Sequence, residues 1–193
     1  KYLQKVFLAE SGIPVAEFVK ISDQAAALEV LKKWGGRMII KTRHGAFDGR
    51  GNMVVKSPKQ VTQAFQHFDG KQLYAEKLVP FVCEVAVMVA RSTKGEIAAY
   101  PLSETIHKRN ICNEVLVPAR VSKTVERKAI KLARTVAEKL NGAGVFGIEM
   151  FVTDKGKVLI NEIAPRVHNS GHYTTEACMT SQFEQHIRAI AGL

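Results

Sequence analysis

The stretch Val145-Phe146-Gly147-Ile148-Glu149-Met150-Phe151-Val152, followed across Thr153-Asp154-Lys155-Gly156 by Val158-Leu159-Ile160-Asn161-Glu162-Ile163, decides how the chain is read. Both apolar runs have the length of strands, and the tetrad between them is made of turn formers, so a β-hairpin is expected. Each run carries one carboxylate among apolar neighbours. With a two-residue turn centred on Lys155-Gly156, Glu149 falls opposite Glu162. A bulged turn moves the register by one and brings Asn161 opposite Glu149 instead. Like charges facing each other across a ladder repel, and both are costly to desolvate without a cation. Two carboxylates and an amide are hard oxygen donors of the kind magnesium accepts alongside phosphate. The competing reading is two solvent-facing glutamates on an edge hairpin.

Working outward, Lys123–Leu140 precedes the hairpin as a long amphipathic helix. Leu132, Ala133, Val136, Ala137 and Leu140 form its inner face, and Arg127, Lys128, Lys131, Arg134 and Lys139 a solvated outer one. After the hairpin, Ala164-Pro165-Arg166-Val167-His168-Asn169-Ser170-Gly171-His172 is dense in polar groups. His168, His172 and Glu176 have the spacing of a helical zinc set, but Asn169-Ser170-Gly171 is poor helix material and no His-Glu-x-x-His occurs. Arg166 with His168 reads better as an anion clamp, because a guanidinium forks onto oxyanions. Ser181-Gln182-Phe183-Glu184 caps a last helix carrying Phe183, Ile187 and Ile190.

Upstream of Pro80 strands and helices alternate. Ile13–Ile21 is extended, Ser22-Asp23 caps a helix over Ala25–Trp34, and Arg37–Lys41 is a strand. A glycine-rich stretch, His44–Asn52, leads into Met53–Lys56, then Ser57-Pro58-Lys59-Gln60 opens another helix and Gln72–Glu76 is a strand. The loop Gly45-Ala46-Phe47-Asp48-Gly49-Arg50-Gly51 fits neither standard phosphate loop. Its glycines would still let backbone amides approach phosphate, with Lys41 as a nearby point charge; a plain hairpin connection is the alternative. Glu76-Lys77-Leu78-Val79-Pro80 joins two α+β lobes, 1–79 and 80–193, and such a linker suits the wall of a nucleotide cleft. Val82–Arg91 and Glu96–Leu102 read as an antiparallel hairpin, and Cys112–Pro118 as a further strand. Glu84, isolated in an apolar run, needs a partner; an ion pair would explain it. His107 serves either a phosphate or the surface.

The composition sets the outer bounds. The 193 residues are 46% hydrophobic and 24% charged, the profile of a globular protein. Twenty-eight Lys and Arg against eighteen Asp and Glu leave a net charge of +10. Thinly spread charge favours small anions over nucleic acid. No apolar run reaches the ~18 residues of a membrane helix, and Lys1-Tyr2-Leu3-Gln4-Lys5 has neither a signal peptide's apolar stretch nor a cleavage site. Cys83, Cys112 and Cys178 form no Cys-x-x-Cys, which points to buried free thiols in a reducing compartment.

Together, Lys41-Thr42-Arg43 with Asp48-Gly49-Arg50-Gly51, Glu76-Lys77, Tyr100-Pro101 with Glu104-Thr105-Ile106-His107, Asn161–His172, and Ser181-Gln182-Phe183-Glu184-Gln185-His186 with Arg188-Ala189 carry a resemblance. Over practically its whole length the chain resembles the ATP-grasp domain of 5-(carboxyamino)imidazole ribonucleotide synthase. The flavour is that of fungal and plant versions, which include fusions to a mutase as phosphoribosylaminoimidazole carboxylase. The resemblance implies an α+β ATP-grasp fold, two lobes with the nucleotide cleft between them. It implies carboxylation of aminoimidazole ribonucleotide with ATP and bicarbonate, through carboxyphosphate, in purine biosynthesis. It further implies that Lys1 and Lys41 contact ATP phosphates, helped by the loop around Gly49, and that Glu76 and the backbone of Lys77 and Val79 hold adenine. By the same likeness Glu84 holds the ribose, His107 and Asn161 approach ATP, Glu149 and Glu162 bind magnesium, and Arg166 and His168 position bicarbonate or carboxyphosphate. Full-length members would be cytoplasmic homodimers, or plastid proteins in plants, with neither nucleic-acid nor membrane partners. Phe47 stands where the family often has tyrosine, and Val167 where eukaryotic members have proline. The chain is expected to lack the amino-terminal lobe and the small carboxy-terminal segment that help bind the ribonucleotide. Two other readings are another ATP-grasp carboxylase or ligase, and a nucleotide-binding module without turnover.

Overall fold

Asp23 and Ser57 begin the two helices of the first unit by accepting hydrogen bonds from the backbone N–H groups of Ala26 and Gln60. These are α2 (Gln24–Lys33) and α3 (Pro58–His67), preceded in the chain by α1 (Tyr2–Glu10). The computed structural model describes residues 1–45, 51–108 and 111–193. They divide into two units, Lys1–Phe7 with Val15–Val79 and Leu8–Pro14 with Pro80–Leu193.

In the first unit, β1 (Phe18–Ile21), β2 (Met38–Thr42), β3 (Asn52–Val55) and β4 (Leu73–Lys77) form an antiparallel sheet in the order β1-β4-β2-β3. Met38, Ile40, Val55 and Ala75 of the sheet bury against Ala27 and Leu31 of α2 and Val61 and Ala64 of α3. The alternation within β2 therefore sets Ile40 into the core, while Lys41 projects from the other face.

The second unit is built on β5 (Phe81–Arg91), with β6 (Ile97–Ala99), β7 (Ser103–Lys108), β8 (Ile111–Leu116), β9 (Gly144–Thr153) and β10 (Val158–Ala164). The order is β10-β9-β5-β7-β8, and β6 pairs separately with β5. Residues 85–90 of β5 are buried without interruption, because both faces of this central strand are covered. Helix α4 (Lys123–Leu140) packs on β5, β6, β9 and β10 through Val125, Ala129, Ala133, Val136 and Ala137. A 3-10 turn, Asn169–Gly171, a short helix α5 (Thr174–Ala177) and α6 (Gln182–Ala191) close the chain.

Several expectations are corrected. Residues 96–102 do not form one strand: β6 ends at Ala99, and Ser103–Lys108 is a separate strand whose polar residues hid it. Helix α1 carries no N-cap signature, yet it ends in a Schellman motif. Ile13 N–H donates to the Leu8 carbonyl at 2.9 Å and Gly12 N–H to Ala9 at 3.0 Å, with Gly12 at φ +70°. The last helix is where the sequence places it; Phe183, Ile187 and Ile190 are 47%, 58% and 47% exposed, and α6 buries Gln182 and Ala189. The three cysteines are free but only half-buried. Among the described residues no helix is long and apolar enough to cross a membrane.

Candidate active site

The hairpin of β9 and β10 resolves the register question in an unexpected way. Near the turn Val158 pairs with Val152, Leu159 with Phe151 and Ile160 with Met150, the shifted register. Gly156 at φ +65° and its N–H to the Thr153 carbonyl (2.9 Å) make the bulged turn that produces it. Asn161 is then an extra residue in β10, and beyond it Glu162 stands opposite Glu149. A second bulge thus cancels the first, and the two carboxylates share one face.

The same face continues across the sheet. Glu149 pairs with Ala86 on β5, and two residues along β5 Glu84 pairs with Thr105 of β7, which puts His107 on this side as well. His107 Nδ1 lies 3.5 Å from Glu84 Oε1. That carboxylate raises the imidazole pKa above its usual value, against the opposing effect of burial.

His168 behaves in the opposite manner. Burial, helped by the charge of Arg166, pushes its pKa down to about 4, so the ring is neutral at physiological pH. Its Nδ1 accepts from the Ser170 N–H and lies 2.9 Å from Ser170 Oγ. That leaves the Nε2–H to donate toward Glu149 Oε1, 3.5 Å away. Gly147 lies under the ring: a Cβ there would come within 2.6 Å of His168 Cβ. Arg166 is exposed, its Nη1 donating to the Val167 carbonyl at 2.8 Å. His172 instead lies against Phe183, with ring centroids 6.1 Å apart. No metal-binding group of three or more His, Cys, Asp or Glu exists among the described residues, so the zinc spacing has no structural counterpart.

In the first unit Glu76 is 1% exposed, with Oε1 3.0 Å from Lys41 Nζ and Oε2 3.2 Å from Lys5 Nζ. A buried carboxylate between two ammonium groups leaves one positive charge in excess. Lys5 was missed by sequence reasoning, because helix α1 itself was; it sits on α1 four residues after Lys1. The main-chain nitrogen of Lys1, not its side chain, donates to the Arg43 carbonyl at 3.4 Å, just past β2. Lys77 is exposed and paired with Glu17 at 3.1 Å, and Val79 is half-buried. Gly49 and Phe47 lie outside the described residues.

One further pair escaped notice. Glu104, 8% exposed, receives Arg120 Nη2 at 2.7 Å, Nε at 3.0 Å and the backbone N–H at 3.2 Å. Those bonds hold its carboxyl below the usual 4.5. It ties the loop before α4 to the sheet.

The profile of the ATP-grasp domain matches residues 6–183, nearly the whole chain. The chain belongs to the ATP-grasp family. Among similar proteins, phosphoribosylaminoimidazole carboxylase of Ogataea methanolica is 53% identical over all of this chain and 36% of its own length. N5-carboxyaminoimidazole ribonucleotide synthase of Bacillus subtilis is 40% identical over 98% of this chain and 50% of its own. The crystal structure of carboxyaminoimidazole ribonucleotide synthase from Aspergillus clavatus complexed with ATP superposes with a TM-score of 0.96 at 41% identity. It covers all of this chain, and 51% of that one is matched. This ATP-grasp chain thus spans a third to a half of the relatives it matches.

Magnesium fits the donor set of this ATP-grasp chain: two carboxylates opposed in register, on a face that also carries Glu84, already near His107. Magnesium commonly takes one or two protein carboxylates and fills its remaining positions with water and phosphate oxygens.

Proposed function

We propose that this chain serves the ATP- and bicarbonate-dependent carboxylation of aminoimidazole ribonucleotide to its N-carboxy form. The observation that carries the proposal is the facing pair Glu149 and Glu162 beside a neutral His168 and an exposed Arg166. Lys41 and Lys1 hold ATP phosphates; Glu76, which the resemblance assigns to adenine, is buried between Lys41 and Lys5 and acts instead by fixing the Lys41 ammonium. The main chain of Lys77 and Val79 takes the adenine edge, Glu84 the ribose, and His107 and Asn161 approach the phosphates.

Glu149 and Glu162 would hold magnesium, which when bound neutralises charge on the triphosphate. Arg166 holds the bicarbonate oxyanion, and His168, neutral with a donor Nε2–H, orients without adding charge. A bicarbonate oxygen bonds to the terminal phosphorus as the bond to ADP breaks, giving carboxyphosphate. The ribonucleotide amine then attacks the carboxyl carbon, phosphate leaves, and the amine loses a proton. Nothing in this sequence needs a covalent enzyme nucleophile, so the protein acts by positioning and electrostatics.

The test follows phosphate release by the full chain with ATP and bicarbonate, with and without aminoimidazole ribonucleotide. Bicarbonate-dependent phosphate release is expected of these 193 residues, and stimulation by the ribonucleotide, with its carboxylated product, of a protein of the relatives' full length, of which the chain spans a third to a half. ATP binding with no phosphate release would replace this reading with that of a nucleotide-binding module.

A further inference from the structure

Helix α6 brings two hydrogen-bonding side chains to the carboxylate sheet that the proposed reaction does not use. Gln182 is wholly buried. Its Oε1 accepts from the His168 N–H at 2.9 Å, and its Nε2 donates to the His168 carbonyl at 2.8 Å. These two bonds settle which way the amide points. They also satisfy both backbone groups of a residue in extended conformation (φ −135°, ψ 152°) by a side chain.

The clasp is itself held. The Gln182 N–H donates to Thr174 Oγ1 at 2.8 Å, and that hydroxyl donates to the Gly171 carbonyl at 2.7 Å. Gly171 leaves the space: a Cβ there would lie 2.6 Å from both Gln182 Oε1 and Met88 Cγ. One turn further along α6, His186 Nδ1 accepts from the Val145 N–H at 3.0 Å, near the start of the strand that carries Glu149.

We infer that Gln182 is a positioning residue that sets His168 against Glu149. The inference rests on the proposed role of His168 in holding bicarbonate. An amide offers a donor and an acceptor side by side without needing a proton from solvent, and asparagine is one methylene short. Methionine fills the volume but supplies neither bond, whereas glutamate keeps the acceptor and turns a second acceptor toward the His168 carbonyl. Without the clasp the His168 N–H loses its partner and the carbonyl keeps only the Gly171 N–H at 3.0 Å, so the Nε2–H is held less firmly toward Glu149.

The test compares Gln182→Met and Gln182→Glu with the unaltered full chain. ATP affinity is expected to stay within about twofold, while the KM for bicarbonate rises about tenfold, the scale of one buried hydrogen bond. Gln182→Glu should fall between, and it carries the test if Gln182→Met does not fold. A crystal structure of the folded variant should show His168 Nε2 drawn away from Glu149. An unchanged bicarbonate KM, or a ring still 3.5 Å from Glu149, overturns the inference. If the unaltered chain releases no phosphate with bicarbonate, the proposed reaction fails, and the ring position alone decides the role of Gln182.

Discussion

Glu76 lies between Lys41 and Lys5 with almost no solvent contact. Such a triad depends on its central carboxylate, which offsets both ammonium groups. Glu76→Ala leaves two buried ammonium groups without their counter-charge, and a loss of about 3–5 kcal/mol is expected by urea unfolding. A loss below 1 kcal/mol would mean that the lysines reach water. Glu104 behaves differently, because its partner Arg120 is largely exposed. The folded state depresses the Glu104 pKa, so its stabilisation is present above the ordinary value near 4.5 and fades as pH falls through the lower folded value. Glu104→Gln should therefore flatten the acid limb of the stability curve below pH about 4.5, while leaving its shape above pH 6 unchanged. The carboxylates on strands were legible because an isolated charge in an apolar run is conspicuous. Lys5 and Gln182 were not, since a lysine or glutamine near a helix start looks like surface until its burial is known.

Two glycines separate conformational from steric demand at the level of the element. Gly156 needs a positive φ, with Val125 Cγ2 a comfortable 3.5 Å from the site of a Cβ. Gly156→Ala should cost about 1–2 kcal/mol, the left-handed penalty alone. Gly171 has no such φ, but its Cβ would strike Gln182 and Met88 at 2.6 Å. Gly171→Ala should cost more, about 1–3 kcal/mol from overpacking, and should also lower bicarbonate-dependent phosphate release. Equal costs with unchanged activity would show that the clasp yields easily. Caps made α2, α3 and α6 readable, because their signals are local, and amphipathic periodicity did the same for α4. The facing of Glu149 and Glu162 was readable too, but the path to it was not, since one bulge at the turn and a second at Asn161 offset each other. The periodicity of α6 was legible, but not that its stripe faces outward, because periodicity reports a face without saying which way it points.

For the whole molecule, the +10 charge and the paired carboxylates pull in opposite senses, and nucleotide binding should expose both. Cations in the first unit are expected to provide binding to the triphosphate with or without magnesium. Glu149 and Glu162 in the second unit repel each other and should prefer to bind when a cation is supplied. Ligand binding raises thermal stability in proportion to the logarithm of concentration over Kd, so melting shifts report each contribution. Lys41→Met should remove most of the protection that ATP gives, in magnesium or in EDTA. Glu149→Gln and Glu162→Gln should retain the shift seen in EDTA and lose the additional shift that magnesium brings. Each should also melt no lower than the unaltered chain when no ligand is present, because one charge of a like pair is gone. Loss of the EDTA shift in the glutamate variants would place them among the direct phosphate contacts, and full retention of the magnesium increment would remove them from the metal site.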